Sequence, residues 1–353
     1  MTAARYEVLH VDPRTGEIRA SLPVASISFT DTLNAEGAAV VVIPLDAPEA
    51  HPADLGPIRS SLVILRDGAP VWGGILWTLS ADLAAGTLTL NASGYHSYYK
   101  TRAFSNGYTG KRRDQTGLLQ DWFKLCTNGI ETDVSHLSPT GRLRDRVWTR
   151  SEFKVISDAI EELAEDENGF DFRYEPFWIV EGERVGNRFL KYSVGSRSGL
   201  FELVHRINCD VGRVDYDGSQ IATDVYTVGA DTGSGEKLVG IAGNDALRET
   251  MPTKRVIAAF NDVKSTETLI DKAGAVLDIG RAPIAIPTVT VYPGLYGPLD
   301  FVPGDVGIVQ VDSGYVALWD EFVITERTTE IDANGTELIS LSLANREVFN
   351  SGQ

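Results

Sequence analysis

Cysteine is nearly missing from this chain of 353 residues: there are two, Cys126 and Cys209, and neither belongs to a C-x-x-C pair. So few soft ligands exclude a structural zinc site. Both thiols read as buried, with a disulfide as the less favoured alternative. The five histidines, His10, His51, His96, His136 and His205, form no H-x-H or H-x-x-x-H pair, so no metal centre is expected on a strand or a helix. His96, flanked by Tyr95 and Tyr98-Tyr99, reads as a packed or interfacial side chain. No G-x-S-x-G elbow is present, which removes the motif for a hydrolase-type serine. The Gly-rich loop Gly229–Lys237 lacks the Ser or Thr that a phosphate-binding loop places after its lysine, because Leu238 follows Lys237. It reads as a surface loop. No apolar run is long enough to cross a bilayer, and the N-terminus has neither a basic n-region nor an apolar h-region. The chain is therefore expected to insert into no membrane and to fold in the cytoplasm of the cell that makes it.

What is present is acidic and β-rich. The net charge is −17, with 43% hydrophobic and 23% charged residues, a globular composition. The charge is uneven. Lys100 to Arg150 holds ten basic and five acidic residues, a net +5, which leaves −22 on the remainder. An acidic body argues against nonspecific nucleic-acid binding, which depends on neutralising phosphates with Lys and Arg.

The length predicts several domains. Residues 1–100 read as a β-barrel-like domain, with Ile27, Phe29, Val40, Val42, Leu62, Ile64 and Val71 on strand alternations. Turns fall at Pro13–Gly16, Asn34–Gly37 and Asp67-Gly68, the last a strong hairpin signal ahead of the paired glycines Gly73 and Gly74. Residues 101–210 read as an inserted α/β region with two helices. One is predicted over Gln115–Cys126, N-capped by Asp114, with Leu118, Leu119, Trp122, Phe123 and Cys126 inward. The other is predicted over Ser151–Glu165 behind a Thr149–Glu152 capping box, with Phe153, Ile156, Ala159, Ile160 and Leu163 inward. Residues 211–262 read as a β segment with the Gly-rich loop. Residues 263–353 read as a helix, Ser265–Ile279, with Leu269, Ile270, Ala273, Val276 and Leu277 inward, and a second β-barrel-like domain. Its expected strands are Thr288–Tyr292, Val306–Val311, Tyr315–Leu318, Phe322–Thr329 and Glu337–Ala344. The fold class is mainly β (α+β).

Two charged clusters stand out as candidate subunit-interface residues. Arg142, Arg144 and Arg146 share one face of an extended strand that also carries Trp148. Glu161, Glu162 and Glu165 sit at the C-terminal end of the second helix, where negative charge opposes the helix dipole. One reading is an electrostatic seam in which the acids meet the arginines of an adjacent subunit, since Arg favours forked carboxylate pairing. The plainer reading is a solvated face and a charge-protected edge strand. Single-stranded nucleic-acid binding by the arginines fits less well. Trp72, Trp77, Tyr95, Tyr98 and Tyr99 suit core packing or an interface better than a sugar platform. Carboxylates are so plentiful that counting leaves a glycosidase pair open.

Several phrases occur in a recognisable order. Arg66-Asp-Gly-x-x-Val-Trp-Gly-Gly-Ile75 precedes Gly94-Tyr-His-Ser-Tyr-Tyr99. Val225-Tyr-Thr-Val-Gly229 leads into a polar Gly-rich loop. Thr266-Glu-Thr-Leu269 opens a helix before the last β-domain, whose second strand opens after Pro303-Gly304-Asp305. In this the chain resembles the tail-tip or baseplate hub proteins of long-tailed bacteriophages, the minor tail proteins with the gp27-like hub architecture of bacteriophage T4. The resemblance implies a structural virion protein with no enzymatic activity and no cofactor. It implies a homotrimeric hub at the tail tip, joining the tail tube to the adsorption apparatus and lining or closing the DNA exit channel. The implied partners are a distal tail protein, a tape measure protein and other tail-tip or receptor-binding proteins, with genomic DNA passing unbound. The enzymatic cargo that many such hubs carry is expected to be absent or to sit on another polypeptide. A hexameric distal tail protein and a carbohydrate-binding or glycosidase module are the alternatives.

Overall fold

The computed structural model describes residues 4–346 except 127–128, 167, 193–196, 232–234, 262, 282, 293–300 and 333. The chain divides into two compact units, Met1–Val211 with Val289–Leu343, and Gly212–Thr288 with the C-terminal tail.

The first unit begins with seven strands: β1 (Tyr6–Val11), β2 (Ile18–Leu22), β3 (Ser26–Thr32), β4 (Ala38–Pro44), β5 (Ser61–Arg66), β6 (Ala69–Asp82) and β7 (Thr87–Gly94). They pair antiparallel in the order β3-β4-β7-β6-β5-β1-β2. Their alternation turns Val8, Leu22, Ile27, Phe29, Val41, Ile43, Leu62, Ile64, Trp72, Leu76 and Leu90 into one core. The β5–β6 hairpin turns on Asp67 and Gly68, both with positive φ, as the Asp-Gly signal requires. Strand β6 then changes partner, pairing with β5 up to Ile75 and with β7 from Gly74 onward. The glycine pair sits at that corner.

The insert follows: α1 (His96–Tyr99), β8 (Tyr108–Asp114), α2 (Gln115–Leu125), β9 (Thr132–Asp133), β10 (Leu143–Trp148), α3 (Ile156–Ala164), β11 (Asp171–Val180) and β12 (Arg184–Tyr192). β11, β12 and β9 form one small sheet, and β8 with β10 forms a two-stranded ribbon. The core is aromatic: Tyr99, Phe104, Trp122, Phe123, Phe170, Phe172 and Phe189 pack with Leu118, Leu119, Ile156, Ile160 and Leu163. Phe172 stacks on Phe189 at 5.2 Å between ring centroids.

Helix α2 starts where its sequence predicts. Asp114 accepts from Thr116 N at 2.8 Å and clamps the Thr140–Gly141 turn through three further hydrogen bonds from backbone N–H groups and one from the Thr140 hydroxyl. Burial pulls its carboxyl upward, but these donors outweigh it and hold the carboxyl below the usual range. Asp114→Ala is expected to cost about 1–2 kcal/mol, the upper range for a lost N-cap, read as a lower urea midpoint.

The second helix departs from expectation. Glu152 accepts from Thr149 N and Oγ1 at 2.7 Å each, but it closes only a single 3₁₀ turn, Arg150–Glu152. Phe153 then takes φ 44° and stands 60% exposed, so it is not part of the core. A left-handed residue ends a helix, and α3 restarts at Ile156.

Strands β13 (Phe201–Val204) and β14 (Cys209–Asp217) lead to the second unit. That unit holds β15 (Asp224–Asp231), β16 (Lys237–Gly243), α4 (Asp245–Thr250), β17 (Arg255–Ala259) and α5 (Thr266–Ile279). Its sheet runs β16-β15-β17, and Ala222, Val225, Ala273 and Leu277 form its core. Ser265 caps α5 through Thr268 N at 3.3 Å. Of the residues predicted inward, Leu269, Ala273 and Leu277 are buried and Val276 is half-buried, while Ile270 is exposed. Part of the Gly-rich loop, residues 232–234, lies outside the described residues.

The chain closes with β18 (Ile284–Val291), β19 (Val306–Ser313), β20 (Val316–Ile331) and β21 (Glu337–Asn345). Here Phe201, Leu203, Cys209, Val289, Phe301, Val309, Phe322, Ile324, Leu341 and Leu343 make another core. Both cysteines are free and buried, and burial pushes each thiol up to about 11.

Among the described residues the chain is mainly β, 51% strand and 15% helix. The two barrel-like domains, however, do not close among the described residues. Strand β3 does not return to β2; its free edge pairs with β20, from Thr32–Glu326 to Ile27–Ile331. β20 is one strand of 16 residues, not two. Its first half pairs with β19 and its second half with β3. The two β-domains are thereby joined into one 13-stranded sheet.

Candidate subunit interface

The candidate residues lie in the insert. The ribbon β8–β10 carries a bulge between Arg144 and Arg146, and alternation turns Arg144, Arg146 and Trp148 to its half-buried face. Arg144 Nε lies 3.2 Å from Asp166 Oδ2, and Arg146 donates to the same oxygen. Arg142 donates to the carbonyl of Asn168 and, at 3.4 Å, to that of Gly169. The arginines therefore meet the acidic end of α3 in their own chain. Two guanidiniums on Asp166 offset negative charge that the helix dipole disfavours.

Trp148 stacks on Phe104 at 5.4 Å and 11° between planes, with Trp122 5.6 Å away. Glu162 receives Lys154, whose ammonium sits 6.0 Å from the Trp148 ring centroid. Arg146, Trp148, Glu162 and Glu165, with Asp145, Val147 and Asp166, line one open groove of about 570 Å³. The groove joins four of the seven candidates; of its charges, Arg146 pairs with Asp166 and Glu162 with Lys154.

Glu161 leaves this group. It turns to α1 and accepts from His96 Nε2 at 2.8 Å. His96 is fully buried, and its Nδ1 lies 3.1 Å from the Tyr174 hydroxyl. With the proton on Nε2, Nδ1 accepts from that hydroxyl. His96 also packs on Phe172 and Tyr174, as a packed histidine would. The polar chain Tyr174–His96–Glu161 ties β11, α1 and α3 together. The sequence offers no spacing signal for it, because its members are 78 and 65 residues apart.

The His96 hydrogen bond, against a smaller opposing effect of burial, holds the Glu161 carboxyl below its ordinary 4.5. A depressed carboxyl contributes stability that is complete above the unfolded value and disappears as pH falls through the folded one. Glu161→Gln is therefore expected to flatten the decline of Tm below about pH 4.5 and to leave the neutral-to-alkaline pH dependence unchanged, as measured by thermal unfolding across the acid range.

The ribbon's other face is open. Lys111 and Arg112 on the ribbon and Arg150 in the turn after it are exposed and form no ion pair among the described residues; Leu143 and Val147 on the ribbon and Phe153 beyond it are exposed as well. Arg112 takes φ 48° in the bulge and donates its backbone N–H to Asp145 at 2.6 Å. No group of three or more His, Cys, Asp or Glu suited to a metal ion occurs among the described residues, and no described helix is long and apolar enough to cross a membrane.

No family model matches the chain, and no curated protein matches it in sequence. Solved structures do match it. The 43 kDa tail protein of prophage MuSo2 from Shewanella oneidensis superposes with a TM-score of 0.61 at 15% identity, over 97% of this chain and 98% of that one. A tail protein from Neisseria meningitidis gives 0.60 at 14%, over 98% of each chain. The prophage tail protein gp18 of Listeria monocytogenes gives 0.53 at 13%, over 98% and 97%. Across both units and nearly end to end, the chain has the fold of phage tail proteins, as the phrases of its sequence implied.

Proposed function

We propose that this chain is a structural protein of a phage tail, working as the hub at the tail tip. In this reading it assembles as a homotrimeric ring, joins the tail tube to the adsorption apparatus, and lines or closes the channel through which DNA leaves. It acts by symmetric assembly and not by catalysis. Its partners would be the distal tail protein, the tape measure protein and receptor-binding components of the virion.

One observation carries the reading: the match to three tail proteins, two of them from prophages, spans almost the whole of both chains in each case. A shared fold alone is an argument by analogy, but one feature of this chain agrees with it. Its charge of −17 suits a surface that a polyanion must pass without sticking.

The test is location. Gold-labelled antibody against this chain, applied to intact phage tails, is expected to decorate the tip only. Labelling along the tail tube, or on the head, would overturn the proposal.

A further inference from the structure

We propose that the open face of the β8–β10 ribbon is one half of a head-to-tail seam, and that its occupant is the β19–β20 hairpin of a second copy of this chain. The proposal rests on the ring reading above and names the surface that would build it.

Charge and exposure both point there. The ribbon's inner arginines are already neutralised by Asp166, yet Lys111, Arg112 and Arg150 remain without an ion pair among the described residues. They stand on the stretch Lys100 to Arg150, whose net charge is +5 in a chain of −17. Leu143 and Val147 are exposed on the ribbon with Asp145 between them, and Phe153, at φ 44°, is exposed just after it. Cations interleaved with apolar side chains suit a protein surface better than a nucleic acid, because the apolar groups find no counterpart on phosphate.

The hairpin has the complementary character. Tyr315 is 92% and Trp319 72% exposed. Pairing of Gln310 with Trp319, Asp312 with Ala317 and Ile308 with Glu321 sets Trp319, Asp312 and Glu321 on one face. Aromatic and Arg side chains dominate the binding energy of interfaces, and Arg stacks on Trp. Since the two patches differ, the contact is heterologous, and repetition of it generates a ring when the rotation closes.

The test is charge reversal read by native mass across a concentration series, with circular dichroism to confirm folding. Lys111→Glu with Arg112→Glu and Arg150→Glu is expected to weaken association by about 100-fold or more. Asp312→Lys with Glu321→Lys is expected to do the same, and a chain carrying all five changes is expected to regain the oligomer. If each reversed variant keeps the wild-type mass, or if the five-change chain is folded and stays monomeric, the seam is wrong while the ring reading stands. If wild type is itself monomeric throughout, both fall. If the first variant keeps its oligomer and instead loses binding to a DNA oligonucleotide, the ribbon is a nucleic-acid surface and the seam is overturned.

Discussion

Gly74→Ala is expected to destabilise the protein by about 3 kcal/mol or more, at the top of the range for overpacking a tight site. A Cβ built on Gly74 falls 2.3 Å from the carbonyl oxygen of Ser93 and 2.6 Å from the Trp72 ring. The oxygen cannot retreat, because Ser93 is held in β7 by its pairing with Ile75. The ring cannot retreat either, since Trp72 is buried in the core and donates Nε1–H to Thr30 O at 3.1 Å. Gly73 differs in degree: its Cβ meets the ring of Tyr95 at 2.8 Å, and a side chain can shift where backbone cannot. Gly73→Ala is therefore the milder change. Urea midpoints of the two variants decide the point, and a Gly74→Ala protein as stable as wild type would show that β6 does not turn its corner there.

Asp31→Ala is expected to cost about 3–5 kcal/mol, the usual price of leaving one partner of a buried ion pair uncompensated. Arg327 is buried, and its Nη2 lies 2.6 Å from Asp31 Oδ2. The two residues face each other in register across β20 and β3. They therefore sit on the joint that makes the two β-domains one sheet. Arg327 also donates to Phe301 O at 3.2 Å, a neutral acceptor that leaves its charge without the Asp31 carboxylate in such a variant. Replacing both partners with apolar residues, Asp31→Leu with Arg327→Met, is expected to cost less than Asp31→Ala alone, because no buried charge remains. A double-mutant cycle in urea measures the coupling. Additive effects would mean that the joint is held by other contacts.

These two positions also mark where sequence reasoning reaches its limit. Local signals carried far. Asp67-Gly68 makes the hairpin its dihedral needs imply. Asp114 caps α2, and Leu118, Leu119, Trp122, Phe123 and Cys126 all lie inward. The Thr149–Glu152 capping signal was real, yet nothing in it indicates that Phe153 would turn left-handed and end the turn. Trp319-Asp320-Glu321 falls between two expected strands, but all three pair with β19 and continue β20 as one strand. Helix α4 was missed. Asn244, which caps it through Leu247 N at 3.2 Å, was its one readable signal, and six residues are too short for a periodicity. The joining of two barrel-like domains through β3 and β20 is a pairing 298 residues apart in sequence, as at Thr30 and Thr328, and no local pattern encodes it.

The candidate site shows the same division. Two-residue spacing puts Arg144 and Arg146 on one face of β10 with Trp148, while Arg142 lies just ahead of the strand, and the spacing carries no information on where Glu162 and Glu165 fall. It could not say that Asp166 would take both guanidiniums from within the chain, nor that Glu161 would turn away to His96. The residues left over for a partner, Lys111, Arg112 and Arg150, became visible only once those pairs were accounted for.

The central claim is that this chain assembles into a closed ring, and the number of subunits tests it most directly. Native mass spectrometry of the purified chain, with two-dimensional class averages of the same sample, is expected to give three copies around a central hole. Six copies would contradict the hub and favour a distal tail protein, and a monomer at every concentration would contradict assembly by this chain alone.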